Sequence, residues 1–377
     1  MSLQLIPQIP LFKVRWDAGI GDRVDAVGAS GYIGQGELCE QFEREFGRLV
    51  DALDPPLLVN SCTSAIDLAC HLIGVGPGDE VVTSPITCTA TNSPPALRGA
   101  RLVWADVDPL TGNIDPLDVE RKRTRATKAV IAVDWAGRCA VTRDLKLAAG
   151  GTYIIEDAAH ALLAESAQGP IAQWGGDYTC WSFQAIKHLS LVDGGALLPP
   201  ASQIERTRLL RWYGLDRRSK ADFRCEQDIR EIGYKYQSND VAAAIGLANL
   251  ARAEWAVARS RLNAEWYTRA LAGVPGVALA PFDPGASYWI FTILVDDRDA
   301  FSAHLKERGI ATSQVHARND KHSAFKAAGE ARGPLPGVDY FDAHQVAIPN
   351  GYWVGERERE QVASAIHDWA HGRREAA

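Results

Sequence analysis

Apolar and polar positions alternate along this chain in two registers. From Leu57 to about Leu198, short β-prone apolar runs are separated by stretches of helical period. The runs Leu57–Asn60, Glu80–Ser84, Arg101–Ala105, Ala129–Asp134, Tyr153–Glu156, Thr179–Phe183 and Gly195–Leu198 are predicted strands. Strands alternating with helices imply an α/β fold, a mostly parallel sheet covered by helices. Before this region, Glu37 to Val50 reads as a helix with Leu38, Phe42, Phe46 and Leu49 on one face. Residues 1–36 read as an irregular arm, because Gly28, Gly31, Gly34 and Gly36 are dense for a helix. After it, Val241 to Ala258 reads as one Ala-rich helix, Tyr288–Val295 as a strand and Arg298–Arg308 as a helix. The expected division is residues 1–250 as an arm and large domain, and 251–377 as a smaller α+β domain.

Composition narrows the class. The 377 residues are 46% hydrophobic and 23% charged, which suits a soluble globular chain long enough for two domains. A net charge of −7 argues against a general nucleic-acid binder. No apolar run reaches membrane-spanning length, so no membrane partner is expected. The seven cysteines are scattered with no Cys-x-x-Cys pair, so neither a zinc site nor a disulfide framework is indicated. A reducing, cytoplasmic setting fits, and the start has no signal-peptide pattern.

Three stretches carry chemistry. In Tyr178-Thr-Cys-Trp-Ser-Phe-Gln-Ala-Ile-Lys187, a β-prone run leads to a lysine, followed by Asp193-Gly-Gly. Lys187 reads either as an exposed strand-end lysine or as a Schiff-base lysine kept nucleophilic in a partly dry site. Upstream, Tyr153-Ile-Ile-Glu-Asp157-Ala-Ala-His160 ends a strand in two carboxylates. Ligands of open α/β sheets bind at such carboxyl ends. Asp157 fits a carboxylate for a pyridine nitrogen, though an N-cap or metal ligand reads as well. In Leu57-Leu-Val-Asn-Ser-Cys-Thr63-Ser64-Ala, hydroxyls open a helix whose N-terminus suits a phosphate or is merely capped. Ser182 adds a hydroxyl beside it.

Taken with Gly31-Tyr-Ile-Gly-Gln-Gly36, Gly76-Pro-Gly-Asp-Glu-Val-Val82, Asp106-Val-Asp-Pro109 and Gly233-Tyr-Lys-Tyr236 through Asn239-Asp240, these stretches form an ordered series. The series resembles the DegT/DnrJ/StrS group of sugar aminotransferases, fold-type-I enzymes of pyridoxal 5′-phosphate (PLP), over nearly the whole chain.

The resemblance implies a large PLP domain and a smaller C-terminal one. Lys187 then holds PLP and Asp157 faces its ring nitrogen. Thr63, Ser64 and Ser182 hold the phosphate, joined from the partner of a homodimer with shared sites by the loop bearing Gln237 and Asn239. Cys88 stands where members often carry an aromatic that stacks on the ring, and His160 replaces a commoner glutamine. Tyr32, Ile33, His188, His316 and Arg318 become substrate contacts. Thr87 and Thr89 face ligand or cap the next helix. Arg206, Arg208, Arg211, Arg217, Arg218 and Arg224 read as a solvated face, or in part as a clamp for a diphosphate.

The implied activity moves an amino group from an amino acid, by resemblance L-glutamate, to a keto sugar, nucleotide-linked in most of the group. Alternatives are a non-nucleotide keto sugar or cyclitol as acceptor, a PLP-dependent sugar dehydratase, and a non-catalytic regulator. Dehydratases of the group carry His at the lysine position, so Lys187 argues against that reading. Lys187 and Asp157 together argue against a regulator. His367 and His371 are four apart on the last helix without a third metal ligand nearby.

Overall fold

A computed structural model describes residues 9–219 and 225–376, the side chains from 373 onward excepted. The centre is an eight-stranded sheet. Its order is Leu57–Val59, Gly195–Leu198, Tyr178–Ser182, Tyr153–Asp157, Thr127–Val133, Glu80–Thr83, Arg101–Trp104 and Gly329–Glu330. The last six run parallel. Gly195–Leu198 is antiparallel to both its neighbours. The seven strands predicted between Leu57 and Leu198 therefore all exist, within two residues at each end.

The parallel strands are buried on both faces, which is why they read as unbroken apolar runs rather than alternating ones. The helix Cys62–Ile73 packs on one face through Ala65, Ile66, Leu68 and Ala69. The helix Glu37–Leu49 packs on the other through Cys39, Phe42 and Phe46. Phe46 meets Trp181 and Phe183 edge-on at 5.4 and 4.9 Å. Leu38 and Leu49 are only half-buried, so the buried face is rotated from the predicted one toward Cys39. The same helix buries Glu43, which pairs with the equally buried Arg211.

Three expectations are corrected. The arm contains a helix, Ile20–Ser30, that buries Ile20 and Val27 against the helix Asp240–Leu250. Gly28 is accommodated inside Ile20–Ser30, and Gly31 ends it with φ of 75°, as Gly19 precedes it with φ of 87°. The Ala-rich helix is two, Asp240–Leu250 and Ala253–Ala270, bent by 55°. Neither Gly nor Pro marks that break. Packing decides it, because the first half lies on Ile20–Ser30 and Glu37–Leu49 and the second on the C-terminal helix. The strand predicted from Tyr288 starts at Phe291. Tyr288 has φ of 51°, which turns the chain out of extended geometry there.

C-terminal of these helices, Val277–Ala278, Phe291–Val295 and Gln345–Ile348 form an antiparallel sheet. The strand Gly329–Glu330 leaves this region to complete the edge of the large sheet. No single helix among the described residues is long and apolar enough to cross a membrane.

Candidate active site

The carboxyl ends of the parallel strands converge on one cleft. Asp157 is the last residue of its strand and is buried. Its Oδ2 accepts a 2.6 Å hydrogen bond from Thr91 Oγ1, which lies 2.7 Å from Thr87 Oγ1. Its Oδ1 accepts from the Ala159 amide at 3.1 Å and lies 3.8 Å from Cys62 Sγ. Burial pushes the Asp157 carboxyl up, and the Thr91 bond works against that shift.

Lys187 sits in a turn after Ser182, its amide bonded to Gln184 O at 2.9 Å. Burial pulls its amine down to about 8, while the fields of Asp157, Cys62 and Cys88 oppose that shift. A lysine so placed is neutral often enough near pH 7 to act as a nucleophile or base.

The far wall is aromatic. His160 stacks on Trp289 with centroids 4.1 Å apart and lies parallel to His316 at 5.9 Å. Trp135 meets both histidines edge-on. His160 Nδ1 and His316 Nε2 are buried without a protein partner among the described residues. Burial lowers both histidines, His316 to about 4, so both are neutral near pH 7. The His316 loop is tied to the segment bearing Cys88. Asn319 N donates to Pro85 O and Asn319 Nδ2 to Thr87 O, both at 2.8 Å, and Asn92 Nδ2 donates to Asn319 Oδ1 at 2.9 Å.

The start of Cys62–Ile73 is the place in this cleft where backbone N–H groups are free of helix partners. Ser61 caps the helix by accepting from Ser64 N at 3.1 Å. The Cys62 and Thr63 amides come before the capped one, where a helix offers N–H groups to an anion. Ser182 pairs with Gly195 across the sheet. A Cβ on Gly195 would collide with the Cys62 amide and the Ser61 carbonyl, so the missing side chain lets the helix start lie against that strand pair. Ser64 Oγ is buried and donates to Asn60 at 2.7 Å, leaving Thr63 and Ser182 as the half-open hydroxyls.

The structure thus brings Lys187, Asp157, His160 and His316 together, with Cys88 half-buried among them. Other residues singled out in the sequence lie differently. Arg318 is buried in ion pairs with Asp320 and Asp339, so it braces the loop rather than facing the cleft. His188 Nε2 lies 3.0 Å from Ser260 Oγ, and burial lowers it to about 3. Tyr32 and Ile33 are 84% and 58% exposed. Asn239 caps the helix Asp240–Leu250 of its own chain. Gln237 bridges to Val59, with the adjacent Tyr236 O accepting from Asn60 N at 2.8 Å. Thr87 bonds Thr91, and Thr89 is exposed.

The arginine-rich segment is largely engaged. Arg206 holds Glu231, Arg211 holds Glu43, Arg218 holds Glu205, and Arg217 lies over Trp212 at 4.0 Å. Arg208 sits 3.7 Å from both Glu43 and Glu205. Arg224 is outside the described residues. His367 and His371 each meet a backbone carbonyl, of Ala270 and His367 respectively. Trp289, Trp135 and Thr91 were not singled out in the sequence. An aromatic within an apolar run looks like core, and Thr91 carries no signal beyond its place after a strand.

Behind Asp157 lies a second acidic pair. Asp134 and Glu156 are fully buried, and with Cys139 their ligand atoms lie within 4.8 Å of one another. Asp134 Oδ1 accepts from Ala140 N at 2.7 Å, and Glu156 Oε2 from Thr179 Oγ1 at 3.1 Å and Gly176 N at 3.2 Å. Asp134 Oδ2 has no donor among the described residues. Burial raises both carboxyls, Glu156 to about 7.

A lysine facing a strand-end carboxylate, with a helix start between them, is matched across nearly the whole chain. The profile described as the DegT/DnrJ/EryC1/StrS aminotransferase family covers residues 16–367. The chain belongs to that family. It is 31% identical over 366 residues to the spore coat polysaccharide biosynthesis protein SpsC of Bacillus subtilis, covering 91% of this chain and 92% of that one. It is 35% identical over 323 residues to the dTDP-4-dehydro-2,3,6-trideoxy-D-glucose 4-aminotransferase of Saccharopolyspora spinosa, covering 81% and 83%. The sugar aminotransferase CalS13 of Micromonospora echinospora superposes with a TM-score of 0.89 at 35% identity, over 96% of this chain and 100% of that one. DesV of S. venezuelae, solved with a ketimine intermediate, gives 0.87 at 28%, over 97% and 99%. The protein is a PLP-dependent sugar aminotransferase of this family. Its residues fit the cofactor: an anion-binding helix start, a carboxylate for the ring nitrogen, and the orphaned His160 Nδ1 beside the lysine.

Proposed function

We propose that this aminotransferase moves an amino group from L-glutamate to a keto sugar carried on a nucleotide. The observation that carries the reading is Lys187 and Asp157 facing one cleft from the ends of neighbouring strands. The 4-aminotransferase of S. spinosa, named for a dTDP-linked keto sugar, supports the acceptor class.

In this reading Lys187 binds the PLP aldehyde, Asp157 the ring nitrogen, and Thr63, Ser64 and Ser182 the phosphate side. Cys88 packs beside the ring, and His160 Nδ1 donates to or accepts from a ring substituent. PLP, when bound, supplies a carbonyl that amines condense with and a ring that draws electrons from the donor's α-carbon. The Nζ of Lys187 takes the proton from that carbon and, in the second half-reaction, gives one to the sugar carbon that receives the amine. Thr91 and the Ala159 amide donate to Asp157 and favour its ionised form, the form that holds a proton on the ring nitrogen. His316 Nε2 is left for a hydroxyl of the sugar, being neutral and unpartnered. The arginines of the 206–218 segment are mostly committed to carboxylates. Arg217, stacked on Trp212, is therefore the better candidate for a diphosphate.

The unit is a homodimer with shared sites in this reading. Exposed Tyr32, Ile33 and Ile232 support a covered surface, and the exposed Lys235 offers a cation beyond its own chain. The seven free thiols suit the cytoplasm. The test is a screen of nucleotide-linked 3-keto and 4-keto sugars, free keto sugars and keto-cyclitols, read as conversion of glutamate to 2-oxoglutarate. Turnover with a nucleotide-linked sugar is expected. Turnover restricted to the free sugars or cyclitols would overturn the nucleotide assignment.

A further inference from the structure

The amine of Lys187 rests on an indole. Its Nζ lies 3.5 Å from the centroid of the Trp289 ring. That ring is fixed on several sides. Trp289 Nε1 donates at 2.9 Å to the carbonyl of Ile186, the residue before Lys187. Phe12 and His160 stack against it at 5.1 and 4.1 Å, and only 4% of the residue is exposed. The backbone turn at Tyr288 delivers Trp289 to this place, out of the strand that follows.

The other groups that face Lys187 are Asp157, Cys62, Cys88, His160, His188 and His316. Asp157 is the one carboxylate among them, and both its oxygens already accept hydrogen bonds. An amine that takes up and gives away a proton needs somewhere to sit while charged. An ion pair would hold the ammonium strongly and oppose its release. An aromatic face attracts the cation more weakly and asks for no hydrogen bond.

We propose that Trp289 is a positioning residue for Lys187. Its ring face receives the protonated amine whenever that amine is free of a covalent bond, and keeps it beside the carbons that exchange protons. This rests on the role given to Lys187 above. Among the described residues, Trp289 is the ring whose face Lys187 Nζ lies over.

The test uses apoprotein of the native chain, Trp289→Phe and Trp289→Leu, each mixed with PLP across a pH series. The visible band that forms on capture is followed by stopped flow. Only the neutral amine reacts, so the capture rate titrates with Lys187. Removing a ring that stabilises the ammonium lowers that midpoint, by about 0.5–1 pH unit for leucine and less for phenylalanine. In the steady state, kcat falls about tenfold or more while the KM for the donor holds. A midpoint that stays in place or moves to alkaline pH in Trp289→Leu overturns the proposal. Should that variant fail to fold, Trp289→Phe carries the same criterion, and an unmoved midpoint overturns it. Borohydride reduction of each loaded variant with peptide mapping keeps the two readings apart: label away from Lys187 overturns the lysine assignment, whatever the pH profile does.

Discussion

Thr91 Oγ1 donates to Asp157 Oδ2 at 2.6 Å from inside the protein, with Thr87 Oγ1 a further 2.7 Å behind it. A hydrogen bond to a charged group contributes about 1.5–3 kcal/mol. Here it works against the burial that raises the Asp157 carboxyl. Thr91→Val is expected to cut kcat by roughly 10–100-fold and to raise the acidic limb of the pH–rate profile. Thr91→Ser is expected to restore both. Steady-state kinetics across pH decides it: a valine variant with the native profile would remove Thr91 from the chemistry.

Lys187→Ala is expected to abolish turnover and the visible band of the loaded enzyme. Asp157→Ala is expected to keep some PLP, through Lys187 and the helix start, but to lose several orders of magnitude in rate. Absorbance of the purified variants and single-turnover assays separate the two losses. An Asp157→Ala enzyme running near the native rate would mean another group holds the ring proton.

The Asp134–Glu156 pair predicts how stability follows pH. Glu156 is raised by burial from the ordinary carboxylate range to about 7 in the folded state. The folded chain therefore binds more protons than the unfolded one between those two values. The stability tied to this proton is fully present below about 4.5 and is lost as pH rises through about 7. Glu156→Gln can still accept from Thr179 and Gly176 and can donate to Asp134. The Tm of its apoprotein is expected to vary less between pH 5 and 8 than that of the native apoprotein. Calorimetry of both over that range checks it, and parallel curves would refute a raised Glu156 carboxyl.

If the sites are shared across a dimer, as proposed, PLP retention depends on concentration. Dilution into monomers is expected to release PLP and activity together. Sedimentation at falling concentration, read alongside the visible absorbance, tests this. A monomer that keeps both would leave the Lys187 chemistry standing and remove the partner from the site.

The sheet was legible because strands buried on both faces must be apolar throughout, and such runs stand out between helical stretches. Lys187 and Asp157 were legible because charged residues at the ends of those runs are out of place there. Other features depend on contacts between distant segments. The bend at Ala251–Arg252 comes from two different packing partners, so the local sequence carries no mark of it. The helix Ile20–Ser30 was hidden by glycines, of which Gly28 lies within it and Gly31 at its end. Trp289 reads as core until the turn at Tyr288 swings it onto the lysine. Arg318 and Arg211 looked available as cations, but each had an acidic partner that only the fold reveals.

Asn319 bonds at once to Pro85, Thr87 and Asn92, and so stitches the His316 loop to the segment bearing Cys88. Two sides of the cleft are thereby held to one another by three hydrogen bonds through a single side chain and its amide. In the proposed reading, a sugar then meets His316 on a loop already anchored to the Cys88 segment. Discrimination between sugars at this wall would act like a mould, rejecting by shape on arrival, and a substitution at Asn319 is expected to loosen the choice of substrate before it slows the chemistry.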